Sequence, residues 1–294
     1  MRRVQPKLTL LDLFLLALLL AAAGYIIFKI TVSLQYSWNW SAIPQYLFRY
    51  DREKQRWVAN YLTDGLLTTI RLSFWAGAAA LLLGLVMALA RTGTSLLGKL
   101  VSCCYIEFMR NLPPLVIIFL FYFFLADQVV AFLGLDAVYE KSPPLLQTMF
   151  GFCFSPSSTF VPFVSALITL ALFESAYFAE IFRSGIESIS RQQWEASYAL
   201  GLTRYQTLFH VVLPQAFRRV LPPLAGQLIS LIKDSSIVSV ISVQELTYQG
   251  TQLMASTYLT IEVWTTIALL YLMLTLPCSL LVSQLERRLN PHFS

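Results

Sequence analysis

The sequence predicts an all-α polytopic membrane protein with six transmembrane helices and both termini on the cytoplasmic side. Three observations predict it: an apolar composition, six stretches long enough to cross a bilayer, and a lopsided placement of basic residues. Of the 294 residues 57% are hydrophobic and 13% charged, with a mean hydropathy of +0.64. A soluble domain keeps about a quarter of its residues charged because its surface meets water. The same arithmetic excludes intrinsic disorder, which needs few apolar residues. Twelve glycines and four cysteines exclude a collagen-like or disulfide-stapled chain.

A helix needs about 20 apolar residues to cross about 30 Å of hydrocarbon, where lipid offers its backbone no hydrogen-bond partner. The stretches that qualify are 8–30, 63–90, 101–126 (strongest after Pro114), 161–184, 220–243 and 262–285. Lys and Arg are retained on the cytoplasmic side. With the N-terminus inside, thirteen basic residues face the cytoplasm: Arg2, Arg3, Lys7, Arg91, Lys99, Arg110, Arg183, Arg191, Arg204, Arg218, Arg219, Arg287 and Arg288. Five face outward: Arg49, Arg52, Lys54, Arg56 and Lys141. Lys29, Arg71 and Lys233 lie in or at the ends of spans.

The first span, 1–33 with its flank, reads as an anchor. Arg2, Arg3 and Lys7 before an apolar run holding Ala21-Ala22-Ala23 also fit a signal peptide. The run continues through Phe28, which favours an uncleaved helix. Residues 34–62 form an outer connector lying at the interface, since Trp38, Trp40 and Trp57 prefer headgroup depth. Gly77 and Gly84, with Ala76 and Ala78 to Ala80, give the second span a small-residue face for close packing. The pairs Pro113-Pro114 and Pro222-Pro223 favour bends near the starts of two spans.

Several motifs fail. Gly93 to Lys99 looks like a phosphate-binding loop, but Leu100 stands where a magnesium-binding hydroxyl is needed. His210 and His292 are too few for metal or triad chemistry, and no nucleophile–base pair is visible. Cys103, Cys104, Cys153 and Cys278 lack metal-ligand spacing and read as small buried apolar residues. No catalytic residue, metal site or cofactor is expected in this chain, and no basic tract is dense enough for nucleic acid.

The segment 192–214 is the informative one. Gln192 to Leu200 reads as a short helix stopped by Gly201, since glycine takes the left-handed conformation that ends helices. Thr203 caps a second short helix, which Pro214 ends. Too polar to span, the hairpin would lie flat on the cytoplasmic face. Its residues alone fit either a docking element for a partner groove or a plain amphipathic connector.

A resemblance favours the first. Glu195-Ala196-Ser197, three residues, Gly201, nine residues and Val211-Val212-Leu213-Pro214 resemble the EAA loop of ABC-importer permeases, with Ser197 and Val211 as mild departures. Tyr105 to Val116, Ala176 to Ile186, and Ile232 to Ser236 with Ser239 to Ile241 resemble further segments of its polar amino acid branch, the histidine, glutamine and glutamate permeases. The likeness covers about 63–288 and leaves out the first 62 residues and the tail 289–294. It implies a five-span type I core in a bacterial inner membrane. It also implies pairing with a second permease copy or paralogue, ABC ATPase subunits that hold ATP and magnesium, and an extracytoplasmic solute-binding protein. The implied cargo is a small polar amino acid, and Glu195, Ala196, Ser197, Gly201 and Arg204 map to the ATPase contact. An ATP-independent secondary transporter or channel is the alternative, and it leaves the Glu195–Pro214 spacing unexplained.

Charges inside a membrane are expensive and mark pathways. Glu174 sits mid-span, either facing the substrate's ammonium or cationic side chain, or held as a structural glutamate. Lys233, Asp234 and Ser235 lie inside 220–243, where Asp234 is expected to cap a restarted helix and break the span. Glu107 with Arg110, and Glu180 with Arg183, stand one turn apart and are expected to pair as structural tethers.

Overall fold

The computed structural model describes residues 9–33, 36, 38–53 and 55–289. Arg2, Arg3, Lys7, Lys54 and the tail beyond Leu289 lie outside them. The chain divides into two compact units, Met1–Ala42 and Ile43–Ser294. The first holds α1, Leu10–Ser33, an unbroken apolar helix with every described side chain exposed. Asp12 accepts from the Thr9 amide at 2.8 Å and so closes its first turn.

The second unit begins with a short helix α2 (Ile43–Leu47) and a two-stranded antiparallel sheet, β1 (Phe48–Asp51) and β2 (Arg56–Ala59). The sheet was not legible as such, since its strands are four residues long. Then come α3 (Tyr61–Thr92), α4 (Leu96–Asn111), α5 (Pro114–Phe121), α6 (Asp127–Leu133), α7 (Leu135–Lys141) and α8 (Pro144–Cys153). The remainder is α9 (Phe160–Glu187), α10 (Arg191–Ala199), α11 (Arg204–Thr207), α12 (Leu213–Asp234), α13 (Leu246–Thr257) and α14 (Thr260–Leu289). Among the described residues five stretches are long and apolar enough to cross a membrane: Tyr61–Thr92, Pro114–Lys141, Ser157–Glu187, Arg204–Ile241 and Thr260–Arg287.

These bounds correct four sequence expectations. The span expected over 101–126 begins at Pro114; residues before it form α4, a separate amphipathic helix. Ser102, Ile106 and Met109 are its buried stripe, while Glu107 and Arg110 stay exposed. Leu112 and Pro113 are extended, because a residue before proline is pushed out of the helical region. Pro214 does not end the second short helix. A π-helical turn at Leu208–Val212 carries α11 straight into α12, and Pro214 sits in the first turn of α12 directly after it. Pro222 and Pro223 therefore fall in the interior of α12 rather than near a span's start. Asp234 makes no side-chain cap, and the chain tightens without a break into a 3₁₀ helix, Ser235–Ile241. That helix stops at Ser242, whose φ is +62°.

The core is the seam of α3 with α9. Leu72, Ala76 and Ala80 on α3 meet Phe163, Ala166, Leu170, Phe173, Ala176 and Phe178 on α9. Small residues set the distance: a methyl group on Gly84 would stand 2.7 Å from Phe178 Cβ and 2.9 Å from the Ser175 carbonyl. A second cluster joins α2, α13 and α14 through Ile43, Leu246, Leu253, Val263 and Ile267. The cysteines are not the fully buried residues expected: Cys104 is exposed and Cys103, Cys153 and Cys278 are half-buried.

Candidate coupling surface and membrane charge clusters

The hairpin forms where the sequence places it, and its turn is a fully bonded helix end. Gly201 has φ +79°; its amide donates to the Tyr198 carbonyl at 2.9 Å and the Leu202 amide to the Ser197 carbonyl at 3.1 Å. Those two bonds satisfy carbonyls that the end of α10 leaves without partners. Thr203 then opens α11 with a reciprocal cap: its amide donates to Gln206 Oε1 at 2.9 Å, and Thr203 Oγ1 accepts from the Gln206 amide.

The two arms are pinned to the spans from beneath. Trp194, Leu208 and Leu213 pack on Ile186, Ile189, Val212 and Ala216. Gln215 donates to Gln193 Oε1 at 3.3 Å, and Arg219 donates to the Ser188 carbonyl. Arg204 donates to the Thr92 carbonyl at 3.2 Å, tying the hairpin to the end of α3. Glu195, Ala196 and Gly201 face outward, with Glu195 paired to Arg191 at 2.9 Å. Ser197 does not belong with them. It is buried and bonds to the Gln193 carbonyl, so it anchors α10 rather than presenting it.

The sequence reading missed the apolar rim. Leu200 is 81% exposed and Tyr205 76%, with Tyr198 and Phe209 beside them. Exposed large apolar groups clustered on one surface mark an interaction site; the period-3.6 pattern hides them, because they fall on short helices and at a turn. Tyr198, Arg204, Tyr205 and Phe209 help line a hollow of about 890 Å³ whose other wall is the turn at 89–99.

A second group lies inside the spans. Glu174 on α9 is wholly buried, and Gln227 on α12 donates to its Oε2 at 2.9 Å. Its Oε1 has no hydrogen-bond partner. Asp234 faces it closely enough for the two carboxyls to interact. Gln227 was not singled out, being uncharged, although it stands two helical turns before Asp234 and so shares its face. Lys233 is exposed and Ser235 turns back to the Ile232 carbonyl at 2.8 Å, so neither joins Glu174.

The third group ties three helices together. Glu180 accepts from Arg183 Nε at 2.9 Å, as expected, and also meets Arg91 at 3.3 Å and Arg110 at 3.8 Å. Glu107 does not pair with Arg110 one turn on. Its partners are Arg91 at 3.4 Å and Asn111 at 3.1 Å. The partners change because α4 lies against α3 and α9, where charges from neighbouring helices come closer than those along its own face. Arg183 also holds Glu187.

Comparison with known proteins places this geometry. Residues 80–294 match the family described as binding-protein-dependent transport system inner membrane component. A probable glutamine ABC transporter permease protein, GlnM of Bacillus subtilis, is 34% identical over 230 residues, covering 78% of this chain and 94% of the relative. The glutamine transport system permease protein GlnP of Escherichia coli is 33% identical over 259 residues, 87% of this chain and 99% of its own. A crystal structure of an amino acid ABC transporter with histidines superposes with a TM-score of 0.65 at 30% identity, over 86% of this chain and all of that one. The inward-facing MetNI methionine ABC transporter shares the fold at a TM-score of 0.56 and 16% identity, over 78% of this chain and 96% of that one.

Proposed function

The chain belongs to the family of binding-protein-dependent transport system inner membrane components, and on that premise we propose that it imports a polar amino acid, driven by ATP, with the hairpin at 191–207 as its coupler. Like its family it is a multi-pass subunit of the bacterial inner membrane, works with a separate ATPase and a solute-binding protein, and is not itself an enzyme. ATP and magnesium belong to that ATPase. A second permease, a copy or a paralogue, completes the pathway.

The observation that carries this reading is the pinned hairpin with its exposed rim. A rigid element hydrogen-bonded to α3 and α12 and packed on α9 transmits force; a loose connector would absorb it. When the ATPases close on ATP, movement of Glu195, Ala196 and Gly201 passes through Trp194 and Arg204 to the spans. ATP shifts the equilibrium only if the two states differ in their contact with the ATPase. Glu174 and Asp234 line the substrate path, their facing carboxyls offering oxygens to an ammonium or guanidinium group.

Co-purification with the ATPase tests the coupler. Gly201→Asp adds a Cβ that meets nothing within 4 Å, at a backbone cost of about 1–2 kcal/mol. It and Glu195→Lys are expected to abolish ATPase capture and uptake. Retention of both by both variants would refute the docking assignment, and uptake without any ATPase would establish the secondary-transport alternative.

A further inference from the structure

The small sheet before α3 has two unlike faces. Its register pairs Phe48 with Ala59, Arg49 with Val58, Tyr50 with Trp57 and Asp51 with Arg56. Side chains alternate across a strand, so Phe48, Tyr50, Trp57 and Ala59 share one face, and Arg49, Asp51, Val58 and Arg56 the other. Tyr50 and Trp57 meet edge to face at 5.7 Å. This aromatic face is uncovered: Trp57 is 69% exposed, and Phe48 and Tyr50 each 51%. An antiparallel ribbon in water would bury such a face or line it with polar groups.

The sheet is also held in place. The Asn60 amide donates to the Leu47 carbonyl at 3.0 Å, Asn60 Nδ2 to the Gln45 carbonyl at 2.6 Å, and Thr63 Oγ1 to the Leu47 carbonyl at 2.7 Å. Beneath it, Ile43 is packed among α3, α13 and α14. β2 ends two residues before α3 begins, so the ribbon sits where a span leaves the bilayer. Tyr61, the first residue of α3, is exposed as well, and the exposed apolar surface runs on down α3 through Leu67, Ile70 and Phe74.

We propose that the aromatic face of this ribbon is a lipid-binding surface, with Phe48, Tyr50 and Trp57 inserted at headgroup depth beside the entry of α3. Amphipathic rings of Trp and Tyr are stabilised there, apolar body inward and polar edge toward water. Arg49 and Arg56 stand on the opposite face, which is turned toward water and keeps their guanidinium groups hydrated. The ribbon thereby fixes the height of α3, the helix on which α9 packs. The proposal rests on membrane insertion and not on the coupler assignment.

Trp57 is its own reporter. The full chain, with its ATPase, is reconstituted in phosphatidylcholine vesicles after Trp38, Trp40, Trp75, Trp194 and Trp264 are each replaced by Phe. Lipid brominated near the headgroup end of its acyl chains is expected to at least halve Trp57 emission, while aqueous acrylamide quenches it weakly. Emission untouched by the brominated lipid and freely quenched by acrylamide would overturn the proposal. So would protection from both quenchers only when the solute-binding protein is added, which would make the face a protein contact. Uptake by the unsubstituted chain with its ATPase, in parallel vesicles, separates the two claims: transport there with Trp57 in water sinks the ribbon alone.

Discussion

Gly84→Ala is the sharpest test of the packing that holds the spans. A Cβ at this position would lie 2.7 Å from Phe178 Cβ, 2.9 Å from the Ser175 carbonyl oxygen and 3.0 Å from the Ala179 nitrogen. Carbon atoms rest about 3.5–4.0 Å apart, so α3 and α9 must separate by about 1 Å. Two of the three obstacles are backbone atoms, which no rotamer change removes. Overpacking of this kind costs about 1–3 kcal/mol. Alanine also gains about 1 kcal/mol over glycine in a helix interior, which would mask part of the loss. Gly226→Ala supplies the reference, because a Cβ there meets nothing within 4 Å on α12. The difference between the two variants isolates the clash and is expected to be about 1–3 kcal/mol in the same direction, read by unfolding the detergent-purified chain with a denaturing surfactant. Uptake should fall with Gly84→Ala alone, since Ser175 adjoins Glu174. Equal stability of the two alanine variants would refute the argument that a glycine-set distance holds this seam.

Other substitutions test the remaining groups. Glu180→Ala is expected to destabilise the chain more than Glu107→Ala, by thermal unfolding, because Glu180 meets three arginines while Glu107, with a side chain 53% exposed, meets one. Exposed pairs are worth about 0–1 kcal/mol each. Glu174→Gln should reduce uptake without loss of ATPase capture, since an amide still bonds to Gln227 but no longer attracts a cation. Glu245, between the last two spans, caps α13 through the Tyr248 amide at 2.7 Å and accepts from Tyr271 at 2.9 Å. Glu245→Ala removes the cap and strands buried donors, a loss of about 2–4 kcal/mol in the same unfolding assay. Burial pushes the Glu245 carboxyl up to about 7. The folded state therefore holds this proton more tightly than the unfolded one, and its share of stability falls as pH rises from the ordinary glutamate range through about 7. Glu245→Gln should flatten that part of the stability–pH curve.

What was legible in the sequence is what depends on neighbours along the chain. Apolar length marked the spans. Gly201 and Thr203 marked the hairpin's turn and cap, whose hydrogen bonds all close within a few residues. The errors share a cause in distance. Apolar residues of α4 read as part of a span until the extended Leu112-Pro113 step separates it from α5. Pro214 reads as a stop, yet a π-turn places it at a helix start.

The sequence by itself therefore determined that this chain crosses a membrane and where its cytoplasmic hairpin turns and is capped. Only the tertiary structure decided which side chain faces what. It turned Ser197 inward and left Leu200 and Tyr205 out, gave Glu107 to Arg91 rather than Arg110, and set Gln227 on Glu174. The reason is physical: helix periodicity limits which residues share a face, but the partner of that face is chosen by packing between helices far apart in the chain.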